Sequence, residues 1–388
     1  MNNEDAKFIS PKLKGFNLEN SVAVSDTVNY TSSQGARCCF DKDKGKAYCV
    51  YTGSKKAYGE TRDELLMSVI PIAQPFRTQV KTVLTHKDVV DGKEYVYPDV
   101  PSVLFVDGAV RIFFMSRHAK GREDPTFDET AAYYYIDYDP ATDTFSKIYP
   151  VTVKWNGKPR VPFNGKNFKA YMEEKGYEVN TTESIEMEEF NFQAKIVEYE
   201  GVYYGNITSV STCMPVVCKS EDGCKTLEFI NVLPQKMRYE SEFEIVKGVM
   251  YFIMRESDGA NFYASYDLGK TFVKSDDVLP IAKTRPWLCE YNGELLICLS
   301  KPEIKPNFIR DGRNNLYIYK GTGLNFSKYE QLLEYVNPYG ILYYDVFNYK
   351  GVLYICYSNS DLYSDKVIWG NVQGKDLVYY GKIGYITE

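Results

Sequence analysis

The sequence predicts an all-β protein that folds as a six-bladed β-propeller with one partly helical insertion. Three observations support this prediction. The chain of 388 residues contains 35 tyrosines and 21 phenylalanines, many of them in short apolar runs, which favours strands over helices. A hairpin pattern recurs six times along the chain, and a single polar stretch interrupts the recurrence. A radial array of four-stranded blades explains this spacing.

The predicted strands are apolar runs of four to seven residues that end near Gly, Asp or Asn. They include residues 103–106, 110–115, 133–138, 202–207, 249–254, 295–299, 316–320 and 353–357. Each hairpin joins two such runs through a polar residue followed by glycine, which is a turn signal. The six turns are Lys44-Gly45, Asp107-Gly108, Glu200-Gly201, Lys247-Gly248, Asn292-Gly293 and Lys350-Gly351. Successive turn glycines lie 63, 93, 47, 45 and 58 residues apart, and the longest interval contains the interrupting stretch.

The interrupting stretch covers about residues 151–189 and is polar and charged. Within it, residues 167–175 are helix-like, and Gly176 follows as a C-cap. We therefore expect one propeller domain over residues 1–388, with this segment inserted between two of its sheets.

Charge and apolar run length exclude two classes of partner. The chain has 46 basic and 52 acidic residues, a net charge of -6, which argues against a nucleic-acid partner. The apolar runs are far too short to cross about 30 Å of hydrocarbon, so we expect no membrane partner. The N-terminal residues lack the apolar stretch of a secretory signal, so we expect a cytoplasmic protein, or a secreted one if a signal has been removed. The sequence leaves the oligomeric state open.

The cysteines and histidines indicate no metal centre or cofactor. Most of the nine cysteines lie in or beside apolar runs, so we interpret them as small buried thiols. There is no Cys-x-x-Cys pair and there are only two histidines, His86 and His118, which leaves little material for a zinc site. Neither histidine has a nucleophile-elbow motif near it, which argues against histidine-based acyl transfer.

The sharpest local motif is Ser265-Tyr266-Asp267-Leu268-Gly269-Lys270-Thr271-Phe272. It has the form Ser-x-Asp-x-Gly-x-Thr-aromatic and resembles the Asp box of sialidases and related propellers. Residues 220–227 keep its Ser, Asp and Thr positions, with the glycine one place earlier. Ser and Asp side chains can satisfy the N–H groups of a tight turn, and Gly takes the left-handed position. We therefore interpret the motif as a folding device that does no chemistry.

Several residues outside this motif extend the resemblance to the bacterial exo-sialidases. In that family three arginines bind the substrate carboxylate, an Asp is the acid/base, and a Tyr assisted by a Glu is the nucleophile. The arginine positions match Arg37, Arg255 and Arg313. The segment from Tyr239 to Phe272, in the order Glu, strand, Gly, strand, Arg and motif, is the most specific part of the match.

The resemblance also implies the groups that do the chemistry. Glu240 takes the position of the supporting Glu, and Tyr343, in Tyr343-Tyr344-Asp345-Val346, takes that of the nucleophile. Tyr339 and Tyr344 remain alternatives for the nucleophile. Asp63 lies at about the right distance after Arg37 for the acid/base, with Glu60 as its alternative.

These residue types suit the chemistry on general grounds. Planar guanidinium groups donate paired hydrogen bonds to a carboxylate and offset its desolvation. A carboxylate on the anomeric carbon would repel an Asp or Glu nucleophile, whereas a neutral Tyr avoids this repulsion and a Glu can remove its proton. An Asp near the leaving oxygen supplies the proton.

Two short segments, Tyr97-Pro98-Asp99 and Arg285-Pro286-Trp287, open blades, where side chains would face the central channel. We expect Asp99, Arg285 and Trp287 to line the substrate site, with an inter-blade core position as the alternative for Trp287. One predicted strand carries a glutamate at every second position, at Glu240, Glu242 and Glu244, which places all three on one face. This is also the pattern of a face that is merely solvated.

The sequence therefore predicts a sialidase-like glycoside hydrolase that removes a terminal acidic sugar from a glycan with a retaining Tyr nucleophile. One alternative is a propeller lyase or glycosidase that acts on a uronate-containing glycan, for which Arg117-His118 could serve. The other is a glycan-binding propeller without catalysis.

Overall fold

The computed structural model describes most of the chain, and all structural statements below refer to that part. It comprises residues 8–30, 32–55, 64–85, 87–90, 93–94, 101–116, 131–179, 190–192, 194–209, 213–235, 240–256, 259–281, 284–302, 314–337, 340–360 and 376–387.

Six antiparallel blades follow one another along the chain, as predicted. Blade one consists of Ser32–Asp41, Lys46–Ser54, Glu64–Pro71 and Gln79–Thr85. Blade two consists of Ser102–Val106, Ala109–Ser116, Ala132–Asp139, Thr144–Phe145 and Tyr149–Pro150. Blade three consists of Phe190–Phe192, Val197–Tyr199, Val202–Ser209, Val216–Ser220 and Thr226–Val232, with Thr152–Lys154 and Val161–Pro162 added outside. Blade four consists of Ser241–Val246, Val249–Arg255, Ala260–Ser265 and Val273–Leu279. Blade five consists of Trp287–Tyr291, Glu294–Leu299, Asn315–Gly321 and Glu330–Val336. Blade six consists of Leu342–Tyr349, Val352–Ser360, Asp376–Ile386 and Asn17–Ala23.

Short elements complete this part of the chain. They are the strands Phe8–Ile9, Leu13–Lys14, Val89–Val90 and Lys93–Glu94, the 3₁₀ turns Pro75–Arg77 and Phe326–Lys328, and the α-helix Gly165–Glu174. All eight predicted apolar runs lie inside strands. Among the described residues, no helix is long and apolar enough to cross a membrane.

The hairpin turns explain why the glycine recurs. In five of the six turns, from Asp107-Gly108 to Lys350-Gly351, φ is 50–52° at the first residue and 77–78° at the glycine. Two successive positive φ values define the type I′ turn, whose twist matches that of the flanking strands. In the first hairpin only Gly45 has a positive φ, of 63°, and Asp41 Oδ1 accepts the Lys44 N–H at 2.9 Å.

The N-terminal segment closes the ring. Asn17–Ala23 pairs with Asp376–Ile386 and supplies the outer strand of blade six, after which the chain enters blade one. Phe8–Ile9 pairs with Glu330–Val336 at the outer edge of blade five. The N-terminal region therefore adds strands to blades five and six, and a parallel pairing of Asp376 with Ser32 joins blade six to blade one.

The helix lies within the predicted insertion and packs on blade three. Asn164 caps it by accepting the Asn167 N–H at 2.9 Å, and Gly176 follows it with φ of 83°. Phe168 and Tyr171 are fully buried against Phe229 of blade three. The predicted helix over residues 167–175 is therefore confirmed, with its start two residues earlier.

The turn of residues 265–272 holds itself together with side-chain hydrogen bonds. Ser265 Oγ donates to Asp267 Oδ1 at 2.8 Å and accepts the Gly269 N–H at 2.7 Å. Asp267 accepts the N–H groups of Lys270 and Thr271 at 3.1 and 2.8 Å. The matching turn at residues 220–226 has the same arrangement, with Ser220 Oγ accepting an N–H at 2.9 Å. These side chains are occupied by the turn itself, as expected of a folding device.

Candidate active site

The strands nearest the propeller axis form the site. Each blade begins with its innermost strand, and the inner strands contact one another between blades one and two, three and four, four and five, five and six, and six and one. The starts of these strands therefore lie at the same end of the propeller, which brings residues from distant parts of the sequence together.

Six charged side chains from five blades meet at this axis, and we call them the axial cluster. Its members are Arg37, Lys195, Glu242, Glu244, Arg285 and Asp345. The side chain of Lys195 is 18% exposed, and the other five are at most 9% exposed. Burying charge is costly unless it is paired, and each member lies within 4 Å of an opposite charge.

Asp345 joins blades one, five and six. Its Oδ1 accepts a hydrogen bond from Arg285 Nη2 at 2.6 Å and lies 3.7 Å from Arg37 Nη1. Its Oδ2 accepts the Cys38 N–H at 2.7 Å. Burial raises the pKa of Asp345 to about 7, against the opposing effects of Arg37 and the Cys38 N–H, and the short Arg285 contact also favours the ionised form.

Glu242 occupies the most enclosed position of the cluster. It is fully buried, with Oε2 3.9 Å from Arg37 Nη1 and Oε1 accepting the Lys195 N–H at 3.2 Å. Burial raises its pKa to about 8, because the loss of hydration outweighs the attraction of Lys195 and Arg37, and the negative Asp345 adds to the rise. Near neutral pH, Glu242 is therefore poised to carry a proton.

Lys195 connects blades three, four and five. Its Nζ lies 2.9 Å from Glu244 Oε2 and donates to the Leu288 carbonyl. Glu244 also accepts the Glu290 N–H at 3.1 Å. The alternative of a merely solvated strand face does not hold for Glu242 and Glu244, because both are buried against cations of other blades.

Trp287 separates the cations from the apolar core. It is 3% exposed, and its Nε1 donates to the Val346 carbonyl at 2.7 Å. Lys195, Arg285 and Arg37 lie 4.7, 5.2 and 5.9 Å from its ring centroid, within cation–π range. The structure thus gives Trp287 an inter-blade core position, and substrate contact by Trp287 or Arg285 stays a prediction.

Glu240 and Arg255 form an ion pair at the start of blade four. Arg255 Nη1 donates to Glu240 Oε2, and the Arg255 N–H donates to the Glu240 carbonyl at 3.1 Å. Both side chains keep 12–13% exposure, more than most of the axial cluster. The two residues are fifteen positions apart in sequence, and the first hairpin of blade four brings them together.

Tyr343 has an unusual backbone. It is partly exposed, has φ of 46°, and lies where the pairing register of Leu342–Tyr349 shifts between Leu342 and Asp345. A positive φ at a bulky residue is strained, and bulges often redirect side chains at functional sites. Tyr344 is fully buried, and burial raises the pKa of its hydroxyl.

Arg37 also follows a register shift, between Gln34 and Arg37 in the inner strand of blade one. Thus two neighbouring inner strands, in blades one and six, are irregular immediately before or at a predicted site residue. Three predicted site residues lie outside the described residues, namely Asp63, Asp99 and Arg313. The alternatives Glu60, Tyr339, His86 and His118 also lie outside them.

Sequence reasoning gave no role to Lys195, Glu242, Glu244 or Asp345. For the two glutamates the period-two spacing after Glu240 was a signal that one strand face carries them. Asp345 belongs to the segment Tyr343-Tyr344-Asp345-Val346, which was singled out for its tyrosines and not for this aspartate. Nothing in the sequence around Lys195 distinguishes it from other lysines.

Among the described residues, one group of side chains could hold a metal ion, and it adjoins the axial cluster because the Cys38 N–H donates to Asp345. The sulfur atoms of Cys38, Cys49 and Cys356 converge between blades one and six.

No protein-family model matches the chain, and no curated protein matches it in sequence. Solved structures do match. A Trypanosoma rangeli sialidase in complex with sialic acid superposes with a TM-score of 0.60 at 10% identity, over 97% of this chain and 59% of the sialidase. A Hadza microbial sialidase gives a TM-score of 0.62 at 13% identity over 94% of this chain and 68% of that one.

A NanB sialidase variant from Streptococcus pneumoniae gives a TM-score of 0.56 at 12% identity, over 94% of this chain and 70% of that one. The chain spans about three fifths of the length of the Trypanosoma enzyme. At such low identity these likenesses concern the fold alone. The predicted resemblance to sialidases is confirmed at that level: the chain has the six-bladed propeller fold of sialidases.

Proposed function

We propose that the protein is a sialidase-like glycoside hydrolase that removes a terminal acidic sugar, of the sialic acid type, from a glycan with retention of configuration. The observation that carries the proposal is the Glu240–Arg255 ion pair, which stands at the start of an inner strand while Arg37 and Tyr343 lie on other inner strands of the same ring. The fold shared with sialidases supports it.

In this mechanism Arg37, Arg255 and Arg313 bind the substrate carboxylate. The two contacts of Arg37 with Asp345 and Glu242, at 3.7 and 3.9 Å, are longer than hydrogen bonds. These two carboxylates balance the charge of Arg37. In this proposal the planar guanidinium groups bind the substrate carboxylate in a fork geometry.

Tyr343 attacks the anomeric carbon, and Glu240 accepts its phenolic proton. Asp63 protonates the leaving oxygen and later activates the water that hydrolyses the glycosyl-enzyme. Two observations favour these assignments. Tyr343 keeps solvent exposure whereas Tyr344 has none, and Arg255 Nη1 holds the Glu240 carboxylate in an ion pair.

The nucleophile is tested with the variants Tyr343→Phe and Tyr344→Phe. We expect Tyr343→Phe to lose several orders of magnitude in kcat on an aryl sialoside while still binding substrate, and Tyr344→Phe to keep most of its turnover. A fluorinated sialic acid should leave a covalent adduct on Tyr343, located by peptide mass spectrometry. An adduct on Tyr339 or Tyr344 would make that tyrosine the nucleophile and would leave the proposed retaining hydrolysis unchanged.

The carboxylate grip is tested separately with Arg255→Ala and Arg255→Lys. Both should abolish binding of a glycal-type inhibitor, because Lys restores the charge but not the planar fork. The matched control Arg77→Ala, at an exposed arginine of blade one, should bind normally. Glycan binding without any cleavage would favour the non-catalytic propeller, and formation of an unsaturated uronate would favour the lyase.

A further inference from the structure

Three cysteine thiols converge at the seam where the ring closes. Cys38 lies on the inner strand of blade one, and Cys49 lies directly opposite it on the next strand. Cys356 comes from the second strand of blade six. Their sulfur atoms all lie within 4.8 Å of one another, although the residues span more than 300 positions of sequence. Within the described residues this is the one group of three or more Cys, His, Asp or Glu whose ligand atoms converge in this way.

The spacing fits a three-coordinate metal ion. A Zn–S bond is about 2.3 Å long, so three sulfurs around one ion are about 4 Å apart, and larger soft ions need slightly more. The observed separations therefore need only sub-ångström movement to close on an ion. Cys49 and Cys356 are fully buried, and the Cys38 ligand atom is buried with them although the residue as a whole keeps partial exposure.

The donor set selects the kind of ion. Three sulfurs without oxygen or nitrogen donors favour soft, thiophilic ions and disfavour Ca²⁺ and Mg²⁺. The surrounding cluster is largely apolar, with Tyr51, Phe347 and Tyr380 among its members. An apolar, enclosed site excludes competing water ligands.

We propose that Cys38, Cys49 and Cys356 form a three-sulfur site for a soft, thiophilic metal or metalloid ion, which fastens blade one to blade six. A divalent ion displaces the three thiol protons and leaves an anionic complex, M²⁺ + 3 RSH → M(SR)₃⁻ + 3 H⁺. Arsenite condenses instead to a neutral product, As(OH)₃ + 3 RSH → As(SR)₃ + 3 H₂O.

The difference in charge matters at this position. The Cys38 N–H is bonded to the Asp345 carboxylate at 2.7 Å, so an anionic complex would form next to an existing negative charge. Repulsion in a buried site is strong. We therefore expect arsenite to compete well against Cd²⁺ for the three sulfurs. The three sulfurs adjoin the axial cluster through Cys38, but the proposed site does not depend on the proposed function.

The test uses the whole protein, reduced with a phosphine and titrated with Cd²⁺ and, separately, with arsenite. We expect one ion per chain by native mass spectrometry, a thiolate-to-cadmium ultraviolet band, and a higher Tm on loading. Cys356→Ala should weaken Cd²⁺ binding at least tenfold and lose the rise in Tm. Cys218→Ala, at a buried cysteine of blade three, is the matched control and should bind as the parent does.

Alkylation mapping keeps the proposal testable even where a variant does not fold. When the folded protein is alkylated slowly, with and without bound ion, Cys38, Cys49 and Cys356 should lose reactivity on loading, and the other six cysteines should react as they do without the ion. Protection of a different set, unchanged Cd²⁺ affinity in folded Cys356→Ala, or a Cys38–Cys49 disulfide without ion uptake after reduction would overturn the proposal.

Discussion

Glu242 gives the most direct test of the electrostatics at the axis. Replacing it with glutamine imitates the protonated carboxyl in size and charge. The folded protein holds the neutral form because burial raises the pKa of Glu242 to about 8, against 4.5 in its ordinary state. Between these two values the unfolded chain releases the proton and the folded chain keeps it. The stability of the parent protein should therefore fall as pH rises through this window.

The size of the effect follows from the same two values. At about 1.4 kcal/mol for each pH unit, the rise from 4.5 to about 8 corresponds to about 5 kcal/mol of unfolding free energy. Water penetration and rearrangement of Lys195 and Arg37 lower the actual figure, so about 5 kcal/mol is a ceiling. Glu242→Gln does not titrate and should escape this loss.

Thermal unfolding at pH 5 to 9 is the measurement. We expect parent and Glu242→Gln to melt at similar temperatures near pH 5, and the variant to gain several degrees over the parent by pH 8. Asp267→Asn is the control, since its turn hydrogen bonds, that from Thr271 first, lower the pKa of Asp267 to about 2. That variant should differ from the parent by a constant amount across this range. Parallel curves for Glu242→Gln would show that Arg37 and Lys195 keep the carboxylate ionised, and would refute the reasoning.

Three further predictions concern other parts of the molecule. Asp345→Asn should destabilise the protein by about 3–5 kcal/mol at pH 8 in urea unfolding, because it removes the anion paired with buried Arg285 and one of the two carboxyl groups within 4 Å of buried Arg37; exposed Asp276→Asn should change little, and an equally small loss at Asp345 would contradict the prediction. Ser265→Ala should cost about 1–2 kcal/mol, because the Gly269 N–H loses its acceptor, and should leave KM unchanged; a changed KM would mean that the turn takes part in the site. Incubation with EDTA should leave turnover unchanged, since the proposed steps use Tyr, Glu, Asp and Arg side chains; recovery of lost activity by Ca²⁺ would argue for another mechanism.

The architecture could be predicted because it repeats. A polar residue followed by glycine must adopt two positive φ values in a two-residue hairpin, so five turns with Asp107, Glu200, Lys247, Asn292 or Lys350 were recognisable one by one. The helix was recognisable because its polar segment broke the recurrence. These are local signals, and local geometry is what a single sequence carries best.

The charge pattern at the axis could not be predicted in the same way. Lys195, Glu242 and Asp345 come from three blades, and their burial depends on how blades pack, which no single hairpin reveals. The convergence of Cys38, Cys49 and Cys356 could not be predicted for the same reason, because it too depends on how the blades pack. Cys38 and Cys356 are adjacent only because the ring closes, so counting Cys-x-x-Cys spacings could not reveal it.

The carboxyl groups of the axial cluster affect both the stability of the fold and the proposed binding of substrate. In the axial cluster three cations face three carboxyl groups, so its formal charge is zero when all are ionised. Protonation of Glu242 below about pH 8 leaves an excess of one positive charge beside Arg37, and partial protonation of Asp345 below about pH 7 adds to it. A substrate carboxylate that binds Arg37 would then supply the missing negative charge without adding another uncompensated ion to a buried site. Binding of an acidic sugar should therefore tighten as pH falls from 9 towards 6, and Glu242→Gln should flatten that dependence, because its positive excess is present at every pH.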